Sequence, residues 1–221
     1  MNQLLPSLRL WQLISPALPV GAYAYSGGLE AAIDSGIVHD SHTAESWIGG
    51  LVEQVLGYVD LPVYFRLHTA WQGQNIGAVT SWTQTLQAMR ETKELLAEDR
   101  QMGSALQRLL IDLQVTNAAD CPIPSFATVY ALACNRWHID EHTGATALAW
   151  SWVENQVSAT VKLVPLGQTD GQRLLAALMP SIERAVTVAQ ALTDDEIGQS
   201  APSLALLSAQ HEQQYSRLFR S

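Results

Sequence analysis

Cysteine and positive charge are both scarce in this sequence, with 2 Cys and 12 Lys+Arg against 21 Asp+Glu in 221 residues. Each shortage excludes something. A formal net charge of −9 repels phosphate backbones, so general nucleic-acid binding is not expected. Cys121 and Cys134 lack metal-type spacing, and a helix would carry most of the segment between them. They read as buried reduced thiols, in keeping with a cytoplasmic protein. Sustained period-two alternation of β-branched and aromatic residues is missing too, so no strand is expected. Long apolar runs are interrupted: Leu10–Leu29 carries no charge, but Pro16, Pro19, Gly21, Gly27 and Gly28 break it. Such a stretch makes a poor membrane span and a poor secretory segment.

Catalytic signatures are absent as well. The sequence has no G-x-x-x-x-G-K-[ST], no G-x-G-x-x-G, no H-E-x-x-H and no G-x-S-x-G. The common routes to nucleotide hydrolysis, dinucleotide binding, zinc proteolysis and acyl transfer are thereby removed.

What is present is helical periodicity in a chain that is 48% hydrophobic, enough for a large core. A short helix is expected around Ser7–Ile14, stopped by Ser15-Pro16, because the residue before proline is pushed out of the α region. After a Pro/Gly elbow, a second helix runs from Gly27 to Ser35, and Asp40 or Ser41 caps a third, which Pro62 kinks or restarts. Asn75–Gly77 mark a turn before a long helical stretch from Thr80 to Asp112. Beyond a break at 121–124, helices are expected over Ser125–Arg136, from an Asp140 cap to Val164, and over Gly171–Leu192 with Pro180 bending or dividing it. Thr193 and Glu196 have capping-box spacing, and Pro202 opens a last helix reaching Leu218. The sum is an all-α, single-domain bundle of about eight to ten helices over residues 1–221.

Three local patterns bear on function. His138, Asp140, Glu141 and His142 offer imidazole and carboxylate suited to nickel or zinc, but an Asp cap and a first-turn Glu are ordinary at a helix start. His39 and His42 form a looser pair, while His68 and His211 read as packing or surface residues. On the expected helix 141–164, Ser151, Glu154, Asn155, Ser158 and Lys162 gather into one polar stripe on an otherwise apolar rod. That stripe is either a solvent face or the wall of a partner site or polar channel. The charged run Glu91–Gln101 reads as a solvated helix face.

Four blocks, in order along the chain, resemble the UreF family. They are Leu13–Glu30 (LISPALPVGAYAYSGGLE), Glu98–Gly103 (EDRQMG), Trp152–Gln156 running on to Val161–Gln168, and Gln214–Ser221 (QYSRLFRS). The resemblance implies an all-helical, non-enzymatic accessory protein without a cofactor or a metal site of its own. Such a protein dimerises, binds UreD (UreH in some organisms), and through it recruits the nickel-carrying GTPase UreG to load apo-urease. Nickel would pass through or beside it. By that resemblance Tyr23, Ser26 and Glu30 form an N-terminal functional block paired with the tail at Arg217, with the phenol and guanidinium placed to stack and hydrogen-bond. Lys162, Gln168, Glu98, Arg100 and Gln101 would face the GTPase. Two rival readings stand beside it: an enzyme using metal at His138–His142, and a GTPase activator lending Arg100 or Arg217 as an arginine finger.

Overall fold

A computed structural model describes residues 4–117, 120–121 and 123–221, and every regular element in them is helical. In order these are α1 (Leu4–Leu13), α2 (Leu29–Asp34), α3 (Ser41–Leu51), α4 (Leu61–Gln72), α5 (Ile76–Ala88) and α6 (Lys93–Asp112). There follow α7 (Phe126–Arg136), α8 (Glu141–Leu163), α9 (Gln168–Ala191) and α10 (Pro202–His211). A π-helical stretch, Val52–Asp60, joins α3 to α4, so the described residues form nine rods, within the expected range. No described helix is long and apolar enough to cross a membrane.

The bundle is organised around α8, which packs along α9 and also meets α2, α4 and α7. Small residues allow this: Gly144, Ala145, Ala149 and Ala159 are buried along it, among Leu148, Val153 and Val157. Burying each of the larger apolar side chains contributes about 1.5–3 kcal/mol. Cys121 and Cys134 are buried and free, and burial pushes their thiols up to about 11 and about 12.

Local chemistry sets most helix starts. Asp40 Oδ1 accepts from Thr43 N at 2.8 Å to open α3, and Asp140 Oδ1 accepts from Thr143 N at 2.9 Å to open α8. Thr193 N donates to Glu196 at 2.8 Å as the capping box requires. Ahead of Pro62 the ladder widens to the π pattern, with Leu61 N donating to Leu56 O.

Several boundaries differ from expectation. Helix α1 begins at Leu4 rather than Ser7, and Pro180 does not divide α9. Asn75 is the cap of α5, accepting from Ala78 N at 3.0 Å, while the turn lies at Gly73 and Gln74. The stretch Thr80–Asp112 is two helices, because Thr92 caps α6 and Arg90 turns its guanidinium inward onto Asp60 and Asp99. No glycine or proline marks that break. The last helix stops at His211 instead of Leu218, since the amides of Leu218 and Phe219 are taken by the Glu30 carboxylate. Pro122, within the expected break, lies outside the described residues.

Candidate functional site

The elbow after α1 ends in Gly27 and Gly28, both left-handed at φ 56 and 80. A Cβ on Gly28 would sit 2.9 Å from Leu204 Cδ1, so glycine serves both conformation and the close approach of α10. This bend buries Ser26 and Glu30 and turns them toward the returning tail. Backbone pairing closes the two ends: Arg220 N donates to Ala24 O at 2.8 Å and Ser26 N to Ser221 O at 2.9 Å. Ser26 Oγ donates to the same carbonyl at 2.5 Å.

Carboxylates then hold the tail. Glu30 Oε1 accepts from Leu218 N at 2.7 Å and Glu30 Oε2 from Phe219 N at 2.9 Å. His211, fully buried, stands between Glu30 (Nε2 to Oε2, 3.1 Å) and Glu94 of α6 (Nδ1 to Oε2, 2.7 Å). Glu94 also accepts from Arg217 Nη1 at 2.7 Å, and Glu98 accepts from Ser221 Oγ at 2.6 Å. Such charge-assisted bonds are about twice as strong as neutral ones. Helix α8 supports the other side: Asn155 Nδ2 and Gln156 Nε2 donate to the carbonyls of Tyr25 and Ser26 at 3.0 and 2.9 Å. The Lys162 ammonium sits 5.8 Å from the Phe219 ring centroid. The tail is thus a strap joining α2, α6, α8 and α10.

Glu98 and Lys162, which the strap touches, also line a cavity of about 380 Å³. The α8 stripe of Ser151, Glu154, Asn155, Ser158 and Lys162 lines one part of it, and Asp60, Arg90, Glu98 and Asp99 line another. The stripe is therefore a cavity wall and not simply a solvent face. Burial raises the Glu154 carboxyl above its ordinary range and pushes Glu98 up to about 7, although Glu98 keeps partial exposure. Asp99 faces Arg90 at 3.4 Å and accepts from Ser125 Oγ at 2.9 Å and Phe126 N at 3.3 Å, so an α6 side chain caps α7. Gly103 permits the approach, because a Cβ there would meet the Ser125 backbone at 2.5 Å. The run Glu91–Gln101 is accordingly not a plain solvated face: Glu94, Glu98 and Asp99 all turn inward.

Comparison with known proteins gives this geometry a context. The UreF family model matches residues 38–179, and full-length relatives extend the likeness to both strapped ends. The chain is 51% identical over 223 residues to the urease accessory protein UreF of Alkalilimnicola ehrlichii, spanning 100% of this chain and 98% of that one. It is 50% identical to the UreF of Teredinibacter turnerae, over 100% and 99% of the two chains. The UreF of Hahella chejuensis is 46% identical over 97% of each. The chain belongs to the UreF family.

In this UreF-family chain the residues expected at the site divide into groups. Ser26, Glu30, Glu98, Lys162 and Arg217 are part of the strap or touch it. Gln101 joins through Tyr25, whose hydroxyl donates to Gln101 Oε1 at 2.7 Å. Arg100 leans on Gln87 at 3.1 Å, and Gln168 is exposed at the start of α9. The expected Tyr23–Arg217 pairing is corrected: Arg217 goes to Glu94, and Tyr23 is 68% exposed, its hydroxyl in no hydrogen bond among the described residues. His211 and Glu94 were missed, because a lone histidine and one acid in a charged run carry no local signal of the contact between them. His138, Asp140, Glu141 and His142 stay exposed, with Asp140 as a cap, and no three His, Cys, Asp or Glu among the described residues form a metal-binding group. His68 packs inside, its Nε2 3.2 Å from Ile139 O.

Proposed function

We propose that this urease accessory protein is a non-catalytic scaffold of the cytoplasm, bridging UreD (or UreH) and the GTPase UreG while nickel is inserted into apo-urease, and that it works as a homodimer. The observation that carries the reading is the strap, which fixes the elbow and the tail against α6 and α8 and gathers Ser26, Glu30, Glu98, Lys162 and Arg217 in one place. A surface assembled from four distant segments is what a scaffold needs, because a partner then reads the folded state as a whole. Partner contact is supported separately by α1, where Leu4, Leu8 and Trp11 are 60%, 46% and 62% exposed at one-turn spacing. Passage of nickel as cargo is supported by the cavity, whose carboxylates Asp60, Glu91, Glu98, Asp99 and Glu154 outnumber its cations Arg90 and Lys162. An arginine finger is disfavoured at Arg217, which Glu94 already holds.

Co-expression with UreD and UreG, with the complexes sized by light scattering, tests this. Wild type should yield a stable ternary complex. Arg217→Ala and Lys162→Ala should stay folded and weaken partner capture. Wild-type chain that captures neither partner would end the scaffold reading.

A further inference from the structure

The arginines of this acidic chain are almost all accounted for within the fold. Arg66, Arg90, Arg136, Arg173, Arg184 and Arg217 each pair with a carboxylate, and Arg9 stacks 5.2 Å over the Trp137 ring. Three remain. Among the described residues, Arg108 and Arg220 place their exposed side chains against no carboxylate, and the Arg100 guanidinium meets only the neutral Gln87 amide. These three line one shallow depression of about 420 Å³, beside Tyr23, Tyr25 and Gln101, and no carboxylate side chain lines it.

Separate segments build this convergence. Arg100, Ser104 and Arg108 follow one another at i, i+4 and i+8 on α6, so they share a face. The elbow supplies the two tyrosines, and the tail brings Arg220, whose backbone amide is pinned to Ala24 O at 2.8 Å. The depression therefore has its third arginine only while the strap is closed.

We propose that this depression is a docking site for a carboxylate-rich segment of a protein partner. Charge complementarity favours an anionic occupant, since three arginines line one depression that no carboxylate side chain among the described residues lines. A protein segment is favoured over a polyphosphate or nucleic acid. Arginine with exposed tyrosine is the composition of protein-interface hot spots, and a net charge of −9 repels extended polyanions. Only the choice of UreD and UreG as test partners rests on the scaffold reading.

The test has two arms. In the first, fluorescein-labelled hexaglutamate is titrated into the purified full chain. Binding should weaken steeply between about 50 and about 300 mM NaCl, where charge screening sets in. Arg108→Glu with Arg220→Glu should lower affinity at least about tenfold. Lys93→Glu with Arg173→Glu, the same charge change placed elsewhere, should leave most of it. Absent binding, equal loss in both pairs, or displacement by inorganic phosphate at equal concentration would overturn the proposal. In the second arm the same variants are co-expressed with UreD and UreG. If wild type captures the partners and the Arg108/Arg220 variant captures them equally at every salt concentration, the docking site falls while the scaffold stands. If peptide binding behaves as stated but wild type captures neither partner, the docking site stands and the scaffold falls.

Discussion

Glu98 and Asp99 are neighbours on α6 that turn into different surroundings, and the contrast separates two uses of buried acid. Asp99 belongs to a knot: Arg90 bridges it to Asp60, which lies 2.6 Å away, and Ser125 and Phe126 complete the contacts on one oxygen. Asp60, Ser125 and Phe126 sit at helix ends, and Arg90 lies in the short turn between α5 and α6. Glu98 belongs to the strap with Glu94 and Glu30, where the donors are the backbone amides, hydroxyl and guanidinium of a ten-residue tail following His211. The knot ties the start of α4 and the turn between α5 and α6 to α6 and the start of α7. The strap is held by groups that can leave together without opening the core.

The sharpest way to break the contrast is to empty the knot. Arg90→Ala strands Asp60 and Asp99 without their cation, and removing one partner of a buried pair costs about 3–5 kcal/mol. Urea denaturation should record that loss, or no folded protein should be recovered. A loss below about 1 kcal/mol would place this cluster among solvent-screened surface pairs.

Releasing the strap should cost less and stay local. Glu30→Ala leaves the Leu218 and Phe219 amides without their acceptor, a loss on the order of 1–3 kcal/mol. Hydrogen exchange at those amides should quicken while the buried amides of α8 keep their protection. Exchange that also quickens throughout α8 would contradict the division between knot and strap.

The pH dependence sharpens it further. Burial pushes the Glu98 carboxyl up to about 7 from an ordinary 4.5, so the folded chain binds that proton more tightly than the unfolded chain does. Its contribution is therefore fully present below pH 4.5 and is lost as pH rises through about 7. Tail protection should decline across that window, and Glu98→Gln should flatten this part of the decline. The smallest effect belongs to the exposed corner: His138→Ala with His142→Ala should change stability by less than about 0.5 kcal/mol. A larger loss in a thermal melt would mean that this corner is structural.

Much of the fold was legible because its determinants are local. Asp40, Asp140, Thr193 and Pro202 act within a few residues of themselves, and each sits at the helix start expected of it. The break at Arg90 was not legible, because its cause is Asp60, 30 residues earlier, and not a glycine or proline. The tail return was hidden for the same reason: Glu30 and Leu218 lie 188 positions apart. Family likeness pointed to Ser26, Glu30 and Arg217 without revealing what connects them. His211 and Glu94 supply that connection, and only the folded chain brings them together. The stripe on α8 was legible as a pattern, whereas the cavity it lines depends on α6 and the elbow standing opposite.

Glu30→Ala tests most directly whether partners recognise the closed strap, as proposed above. The variant should be co-expressed with UreD and UreG, and captured complex compared with wild type in samples whose tail exchange has been measured. The account predicts a folded chain, fast exchange at Leu218 and Phe219, and at least about a tenfold drop in captured ternary complex. Full capture by a chain whose tail amides exchange freely would contradict it.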